Sequence, residues 1–289
     1  DSSTSRGLGD VYKRQVMMSR VVGHLRGAFA RFAGARRGTT GPWRLLAGAC
    51  GVLALMSALS AHAEIQIEGT RFIYSAADRD ISIGLRNLAN ATPSLVQAWV
   101  DDGAPGAAPA QASAPFSLTP PMFRLEGGKG QRLRLVYTGE PLPADRESLF
   151  WLNVLEVPPR PEASAEGNRN LLQLAVRSRM KLFYRPRNLP GDAATAGASL
   201  TWQLEPGQAK GSYRLLAHNA SAFYVSLSQA SIDVAGSEVH IGDGLVGPRA
   251  QAAFELRGVG ASQSGPMALT YSYMDDFGAE RRVQATVAP

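Results

Sequence analysis

The 289-residue chain is 45% apolar and 19% charged, which excludes a disordered or collagen-like protein and leaves room for one large domain or two ordinary ones. Its net charge of +6 is unevenly distributed. Residues 1–63 hold nine Lys or Arg and two acidic residues, whereas residues 64–289 hold 21 Lys or Arg and 22 acidic residues. The larger part therefore lacks the bulk positive charge that attracts nucleic acid, and we expect no nucleic-acid partner.

The first 63 residues are typical of an export signal. Basic residues precede a 15-residue apolar core at 45–59, and Ala61-His62-Ala63 is a small-residue cleavage site. A retained membrane anchor is the less favoured alternative, because the core is shorter than the ~20 residues that cross a bilayer. We expect cleavage after Ala63 and no stable membrane insertion of the mature chain. Residues 1–16 fit no signal pattern, so whether they belong to the natural chain stays open.

Short alternating runs between turn signals dominate the rest of the chain and predict strands. The predicted strands of the first half are 65–67, 71–74, 81–85, 95–100, 123–125, 132–137, 148–157 and 170–184. After a stretch rich in Pro, Gly and Ala at 187–199, those of the second half are 200–204, 212–217, 222–227, 231–234, 252–256, 267–274 and 282–287. This spacing predicts an all-β protein built of sandwiches. Only 170–181 could instead be an amphipathic helix, but its period of two, broken at Ala175, favours a strand.

Several motifs occur in a characteristic order. The main ones are LPADRESLFWLNVLEVPP at 142–159, MKLFYRP at 180–186 and TRFIY at 70–74. Weaker ones are Pro93 with Gln97-Ala98-Trp99, Thr119-Pro120-Pro121 and YMDDFG at 273–278. Together they resemble the periplasmic pilus chaperones of the PapD-like family.

The resemblance implies two immunoglobulin-like sandwiches set at an angle around a cleft, at 64–186 and 187–289. It also implies a periplasmic chaperone that caps pilus subunits by donor-strand complementation and delivers them to an outer-membrane usher. A free chaperone of this kind could cap itself as a homodimer. The short loop at 160–169 and the lack of cysteine after Cys50 are similar to the short-loop subfamily.

Three apolar residues at period two, Leu172, Leu174 and Val176, are the candidates for filling the groove of a subunit. The pattern alone favours side chains that face their own domain's core, whereas the family motif favours the groove. The resemblance places Arg71 and Lys181 in the cleft, where they would hold the C-terminal carboxylate of the subunit. The alternative for these two cations is a solvated strand face.

The resemblance further implies a charged cluster between the domains, formed by Glu147, Arg185 and Asp276. Its expected task is to set the interdomain angle, and three unrelated surface charges are the alternative. Pro93 and Pro120 match prolines around a patch that the family presents to the usher.

No catalytic or cofactor-binding motif is present in the sequence beyond the leader. Its two histidines, His218 and His240, are 22 positions apart, and no metal-ligand spacing occurs. We therefore expect neither an enzyme nor a bound metal or cofactor. The rival hypothesis is a secreted two-domain adhesin or a structural pilus component.

Overall fold

The computed structural model describes residues 65–89, 91–104, 109, 113–159, 173–207, 212–234, 236–256 and 266–287. The strands of the first half are β1 (Ile65–Ile67), β2 (Arg71–Ser75), β3 (Ile81–Asn87), β4 (Ser94–Asp101), β5 (Phe116–Thr119), β6 (Met122–Leu125), β7 (Gly130–Tyr137), β8 (Ser148–Val157) and β9 (Val176–Arg185). A short helix, α1 (Ala193–Ala196), precedes β10 (Thr201–Pro206), β11 (Tyr213–Asn219), β12 (Val225–Val234), β13 (Ser237–His240), β14 (Gly244–Val246), β15 (Ala250–Leu256), β16 (Met267–Met274) and β17 (Glu280–Val287). The all-β prediction is confirmed.

The first sandwich packs the sheet β1-β3-β7-β5 against the sheet β2-β9-β8-β4-β6. Its strands alternate as the sequence predicts: in β7, for example, Leu133 and Leu135 are fully buried while Arg132 and Arg134 are exposed. Pairing is antiparallel except between β2 and β9, which run parallel. The sheet that contains β9 carries the candidate site on its outer face.

The second sandwich packs the sheet β10-β11-β15 against a sheet in which β13, β12, β16 and β17 follow in order and β14 also pairs with β12. Trp202 and Tyr271 meet in its core with ring centroids 5.1 Å apart. Helix α1 has Asp192 as its N-cap and is held to the sandwich by the Tyr273 hydroxyl, which donates to the carbonyl of Ala194 over 3.0 Å.

The structure departs from the predicted strands in three ways. β5, β13 and β14 were not predicted. β12 is one strand rather than two, and a bulge between Leu227 and Gln229 disturbs its alternation. β9 begins at Val176 rather than at residue 170, and residues 173–175 are irregular. In the part of the chain that the structure describes, no helix is long and apolar enough to cross a membrane.

Candidate functional site

Two cations, Arg71 and Lys181, lie side by side on the parallel strands β2 and β9. The register pairs them directly, and the pairing starts there, because Arg71 is the first residue of β2. Paired residues of neighbouring strands are about 4.8 Å apart and point to the same face of a sheet. The TRFIY and MKLFYRP motifs are thus brought together at one point of the outer face.

Each cation is held by a polar group of the second sandwich. Arg71 Nη1 donates to the carbonyl oxygens of Met274 at 2.7 Å and Asp275 at 3.1 Å. Lys181 Nζ donates to Ser226 Oγ at 3.2 Å. Ser226 and Met274 are themselves paired across β12 and β16. The two cations of the first sandwich therefore face three oxygen acceptors of the second.

The two cations are only partly compensated by negative charge. Burial lowers the pKa of Arg71 more than the acids of the β16–β17 turn and Glu147 raise it. Burial also lowers the pKa of Lys181, and the charge of Arg71 lowers it further. Within the described ranges, neither cation has a carboxylate oxygen within 4.0 Å. A carboxylate bound between them would stabilise the charged form of both cations and raise both pKa values.

Glu147, Arg185 and Asp276, which are far apart in sequence, form one charged cluster. Arg185 Nε donates to Glu147 Oε1 at 2.6 Å, while its Nη1 and Nη2 make a two-bond fork with Asp276 at 2.7 and 2.9 Å. Glu147 Oε2 also accepts from the backbone N–H of Tyr224 at 2.8 Å. The cluster thereby ties the first sandwich to two segments of the second, around Tyr224 and at the β16–β17 turn.

The cluster is largely buried, and its electrostatics reflect that. Burial is the largest influence on Arg185 and lowers its pKa, but the hydrogen bonds and charges of Asp276 and Glu147 together outweigh it, so the pKa is raised. Burial raises the pKa of Glu147 more than Arg185 and the N–H of Tyr224 lower it. The arginine therefore stays charged, and the buried glutamate depends on it for compensation.

β9 consists of two halves with different surroundings. β8 pairs with it along its whole length, from Val176 to Tyr184, whereas β2 covers the other edge only from Lys181 to Arg185. Among the described residues, no strand pairs with the second edge of β9 between Val176 and Met180. We call this segment the open half of β9.

The apolar residues proposed as groove fillers lie at the open half or just before it. Val176 and Leu174 are 42% and 63% exposed, so neither packs in the core of its own domain. Val176 belongs to β9, while Leu174 lies in the irregular residues that precede it. Leu172 and the loop at 160–169 lie outside the described residues.

Pro93 and Pro120 lie near opposite ends of the ladder between β4 and β6. Pro93 immediately precedes β4, and Pro120, which follows a cis peptide bond, immediately precedes Pro121 and β6. Between the two prolines, Leu95 and Met122 expose 44% and 53% of their surface. Each proline thus lies within two residues of one exposed apolar side chain, Leu95 for Pro93 and Met122 for Pro120.

The structure shows one charged network that the sequence reasoning missed. Asp101, at the end of β4, is buried and accepts from Arg179 Nη2 at 2.8 Å, Arg177 Nη2 at 3.2 Å and Asn153 Nδ2 at 2.8 Å. Its Oδ1 also accepts from the backbone N–H of Gly103 at 2.9 Å. The four side chains come from three neighbouring strands of one sheet.

Each arginine of this network also covers an indole ring. The Cζ of Arg177 lies 4.8 Å from the ring centroid of Trp99, and that of Arg179 lies 4.4 Å from the centroid of Trp151. The available signal was the alternation of Arg177 and Arg179 within a strand whose other face is apolar. Which acid they meet depends on strand order, and the sequence alone does not provide it.

Metal-binding geometry was sought among the same residues. In the ranges that the structure describes, no three His, Cys, Asp or Glu side chains gather closely enough to hold a metal ion.

Comparison with known proteins gives matches over both halves of the chain. Residues 64–190 match the family of pili and flagellar-assembly chaperones, PapD N-terminal domain, and residues 195–285 match the pili assembly chaperone PapD, C-terminal domain. The chain is 40% identical over 253 residues to the chaperone protein FimB/FhaD of Bordetella pertussis, which covers 85% of this chain and 98% of that protein. It is 37% identical over 230 residues to the probable fimbrial chaperone YadV of Escherichia coli. This match covers 79% of this chain and 92% of that protein.

Solved structures agree with these sequence matches. The YadV chaperone crystal structure superimposes with a TM-score of 0.65 at 33% identity, covering 77% of this chain and 99% of that one. A chain from the structure of the Salmonella enterica SafA pilin in complex with the SafB chaperone superimposes with a TM-score of 0.59 at 30% identity. The superposition covers 76% of this chain and 95% of that one.

Proposed function

Because the chain belongs to the family of PapD-like pilus-assembly chaperones, we propose that it captures pilus subunits in the periplasm and caps them by donor-strand complementation. The chain supplies a strand that a subunit lacks and holds the subunit's C-terminus. It then delivers the subunit to an outer-membrane usher. The function requires no catalysis and no cofactor. The segments 64–186 and 187–289 serve as its two working domains.

The open half of β9 carries this proposal. An unpaired edge exposes backbone N–H and C=O groups that pair readily with another strand. A subunit strand added between Val176 and Met180 would continue the line of β2, which starts one residue further along. The added strand and β2 would then share one edge of β9, one after the other.

The position of the two cations gives the added strand a direction. A strand that occupies the open half and runs parallel to β9 ends beside Arg71 and Lys181. Its terminal carboxylate would then meet two incompletely compensated cations, as a charge-assisted contact requires. In an antiparallel strand, the terminal carboxylate would instead lie at the far end of the open half, away from both cations.

The apolar residues supply the contact area. Leu174 and Val176 are exposed in the free chain, and burying each in a subunit groove would contribute roughly 1.5–3 kcal/mol. Leu172 belongs to the same proposed set by sequence alone. The SafA pilin in complex with the SafB chaperone supports a subunit as the partner of this strand.

The remaining site residues receive supporting roles. Glu147, Arg185 and Asp276 set the angle between the domains, so that Arg71 and its acceptors stay in register. The patch bordered by Pro93 and Pro120 faces the usher. A homodimer that covers two open halves would protect the free chaperone.

Co-expression with a fimbrial subunit encoded beside this chain tests the proposal. We expect a one-to-one complex recovered from the periplasm, with the leader removed after Ala63 and no subunit polymers. A chain that assembles into polymers by itself, or that leaves the subunit aggregated, would contradict the proposal and favour a structural pilus component.

A further inference from the structure

We propose that Asp101 is a positioning residue for the donor strand: through Arg177 and Arg179, it holds the open half of β9 extended on its sheet before a subunit arrives. The proposal deepens the proposed function and rests on it for its purpose. The effect of Asp101 on β9 is a property of the free chain and can be tested there.

The geometry links the open half to a strand that it does not touch by backbone pairing. β8 lies between β9 and β4, and its Asn153 is paired with Arg179 on one side and with Trp99 on the other. The two arginines of β9 reach over β8 to the carboxylate on β4. The open half is therefore fastened by side chains across the face of the sheet.

The carboxylate of Asp101 is buried by these contacts. The side chain of Asp101 has no exposed surface, whereas those of Arg177 and Arg179 keep about a third of theirs. Asn153 connects Arg177 to Asp101. Its Oδ1 accepts from Arg177 Nε at 3.0 Å and from Arg177 Nη2 at 2.8 Å, while its Nδ2 donates to Asp101. Removal of Asp101 would leave two guanidinium groups on β9 without their anion.

The stacking contacts define where the arginines can lie. A guanidinium over an indole ring is held flat by cation–π attraction. With Arg177 on Trp99 and Arg179 on Trp151, both long side chains lie over the sheet and away from the open edge. The edge that a subunit strand must approach stays sterically free.

A strand half with one backbone neighbour needs such a fastening. The half from Lys181 onwards is paired on both edges, whereas among the described residues β8 is the one strand that pairs with Val176–Met180. If the open half detached part of the time, the apparent affinity for a subunit would fall by the detached fraction. Ordering it in advance also removes an entropy cost from binding.

Hydrogen exchange of the free protein tests the inference. In Asp101→Asn, we expect the amides of 176–180 that pair with β8 to exchange at least about tenfold faster. The comparison is with those amides of β3 and β7, in the opposite sheet, that exchange by local opening rather than by global unfolding, and these should change far less. Asp80→Asn is the matched control, because Arg134 binds Asp80 by two hydrogen bonds, at 3.0 and 2.7 Å, in the same sandwich but away from β9.

Equal acceleration in both sheets would overturn the inference, since it would mean that Asp101 stabilises the sandwich generally. Acceleration no greater than in Asp80→Asn would overturn it as well. Should Asp101→Asn not fold, Arg179→Met keeps an apolar cover on Trp151 and removes one of the two links. This variant should show the same local acceleration, by about tenfold, and the same two results would contradict it.

A binding measurement separates this inference from the proposed function. The probe is a synthetic peptide with alternate apolar residues and a free C-terminal carboxylate. We expect Asp101→Asn to weaken binding in proportion to the detached fraction of the open half that exchange reveals. If exchange accelerates locally but the wild type does not bind the peptide or a purified subunit, the proposed function fails and the positioning role stands. If the wild type binds and exchange is unaltered, the positioning role fails alone.

Discussion

The binding role proposed for Arg71 and Lys181 would come at the expense of the stability of the free protein. Burial lowers the pKa of Lys181, and the neighbouring guanidinium lowers it further. A basic group whose pKa falls on folding destabilises the folded state while it is charged, because the unfolded chain binds its proton more tightly. At neutral pH the pair therefore holds an unfavourable interaction that a bound carboxylate would relieve.

The first prediction concerns Lys181→Met. The methionine keeps the aliphatic volume and removes the charge, so thermal unfolding of the free protein should not fall and should rise by up to a few degrees. Binding of a peptide with a free C-terminal carboxylate should weaken at least tenfold. Calorimetry and peptide titration measure the two effects. A variant that unfolds earlier and binds normally would show that Lys181 is a structural residue.

The second prediction concerns the acid dependence of Asp101. Burial raises its pKa, but the hydrogen bonds from Arg179, Gly103 and Asn153, with the charge of Arg179, lower it below its ordinary value of 3.8. Its stabilisation is therefore complete above that value and is lost as pH falls through the lower, folded-state pKa. Near neutral pH, Asp101→Asn should cost about 3 kcal/mol of unfolding free energy.

Denaturant unfolding at several pH values from 7 downward checks this assignment. The difference between wild type and Asp101→Asn should stay constant to about pH 4, the ordinary range of an aspartate, and narrow below it. A difference that persists unchanged at the lowest pH would mean that the carboxylate charge is not the source of the stabilisation.

At the scale of the element, β9 and the residues just before it differ in burial from one end to the other, and the proposed binding role belongs to the exposed end. Leu182 and Phe183 are buried, whereas Leu174 and Val176 at the other end are exposed. The sequence predicted the strand and its period, because alternation is local. It did not predict the start at Val176, which depends on the pairing of β9 with β8. It did not predict the open edge either, because that depends on where β2 pairs, more than one hundred residues earlier in the chain.

The third prediction concerns Leu174→Glu. A charge brought into an apolar groove is costly, so subunit or peptide capture should weaken at least about 100-fold. Because Leu174 is exposed in the free chain, unfolding free energy should change by less than about 0.5 kcal/mol. Leu88→Glu is the matched control, with a leucine that is also exposed, at 53%, but lies away from β9.

Normal capture by Leu174→Glu would remove this residue from the groove-filling set. Unfolding of the variant would instead indicate that Leu174 packs in its own domain. Equal losses in Leu88→Glu would show that any added negative charge on this domain impairs capture.

At the scale of the whole molecule, charged contacts connect the two sandwiches. The sequence motifs predicted that Glu147, Arg185 and Asp276 belong together, and the structure brings them within hydrogen-bonding distance. Their partners in the backbone, such as the N–H of Tyr224, could not be predicted. The acceptors of Arg71 and Lys181 were equally hidden, because a carbonyl has no sequence signature and Ser226 is an ordinary strand residue.

The fourth prediction concerns Arg185→Ala. It leaves Glu147 buried without its cation, so unfolding free energy should fall by about 3 kcal/mol. With the link to Asp276 lost, small-angle X-ray scattering should show a broader distribution of interdomain distances. Arg214→Ala is the control, because Arg214 binds Glu205 within the second sandwich, with Nη2 at 2.8 Å. An unbroadened distribution would contradict the angle-setting role.

A double-mutant cycle between Arg71 and the terminal carboxylate of a subunit peptide tests the central proposal most directly. Wild type and Arg71→Ala are each titrated with the free and the amidated peptide. The account predicts that amidation weakens binding to the wild type by tens to thousands of fold, equivalent to about 2–5 kcal/mol. It predicts little further loss for Arg71→Ala, and so a strongly non-additive cycle. Additive losses would contradict the account, because they would place Arg71 away from the carboxylate.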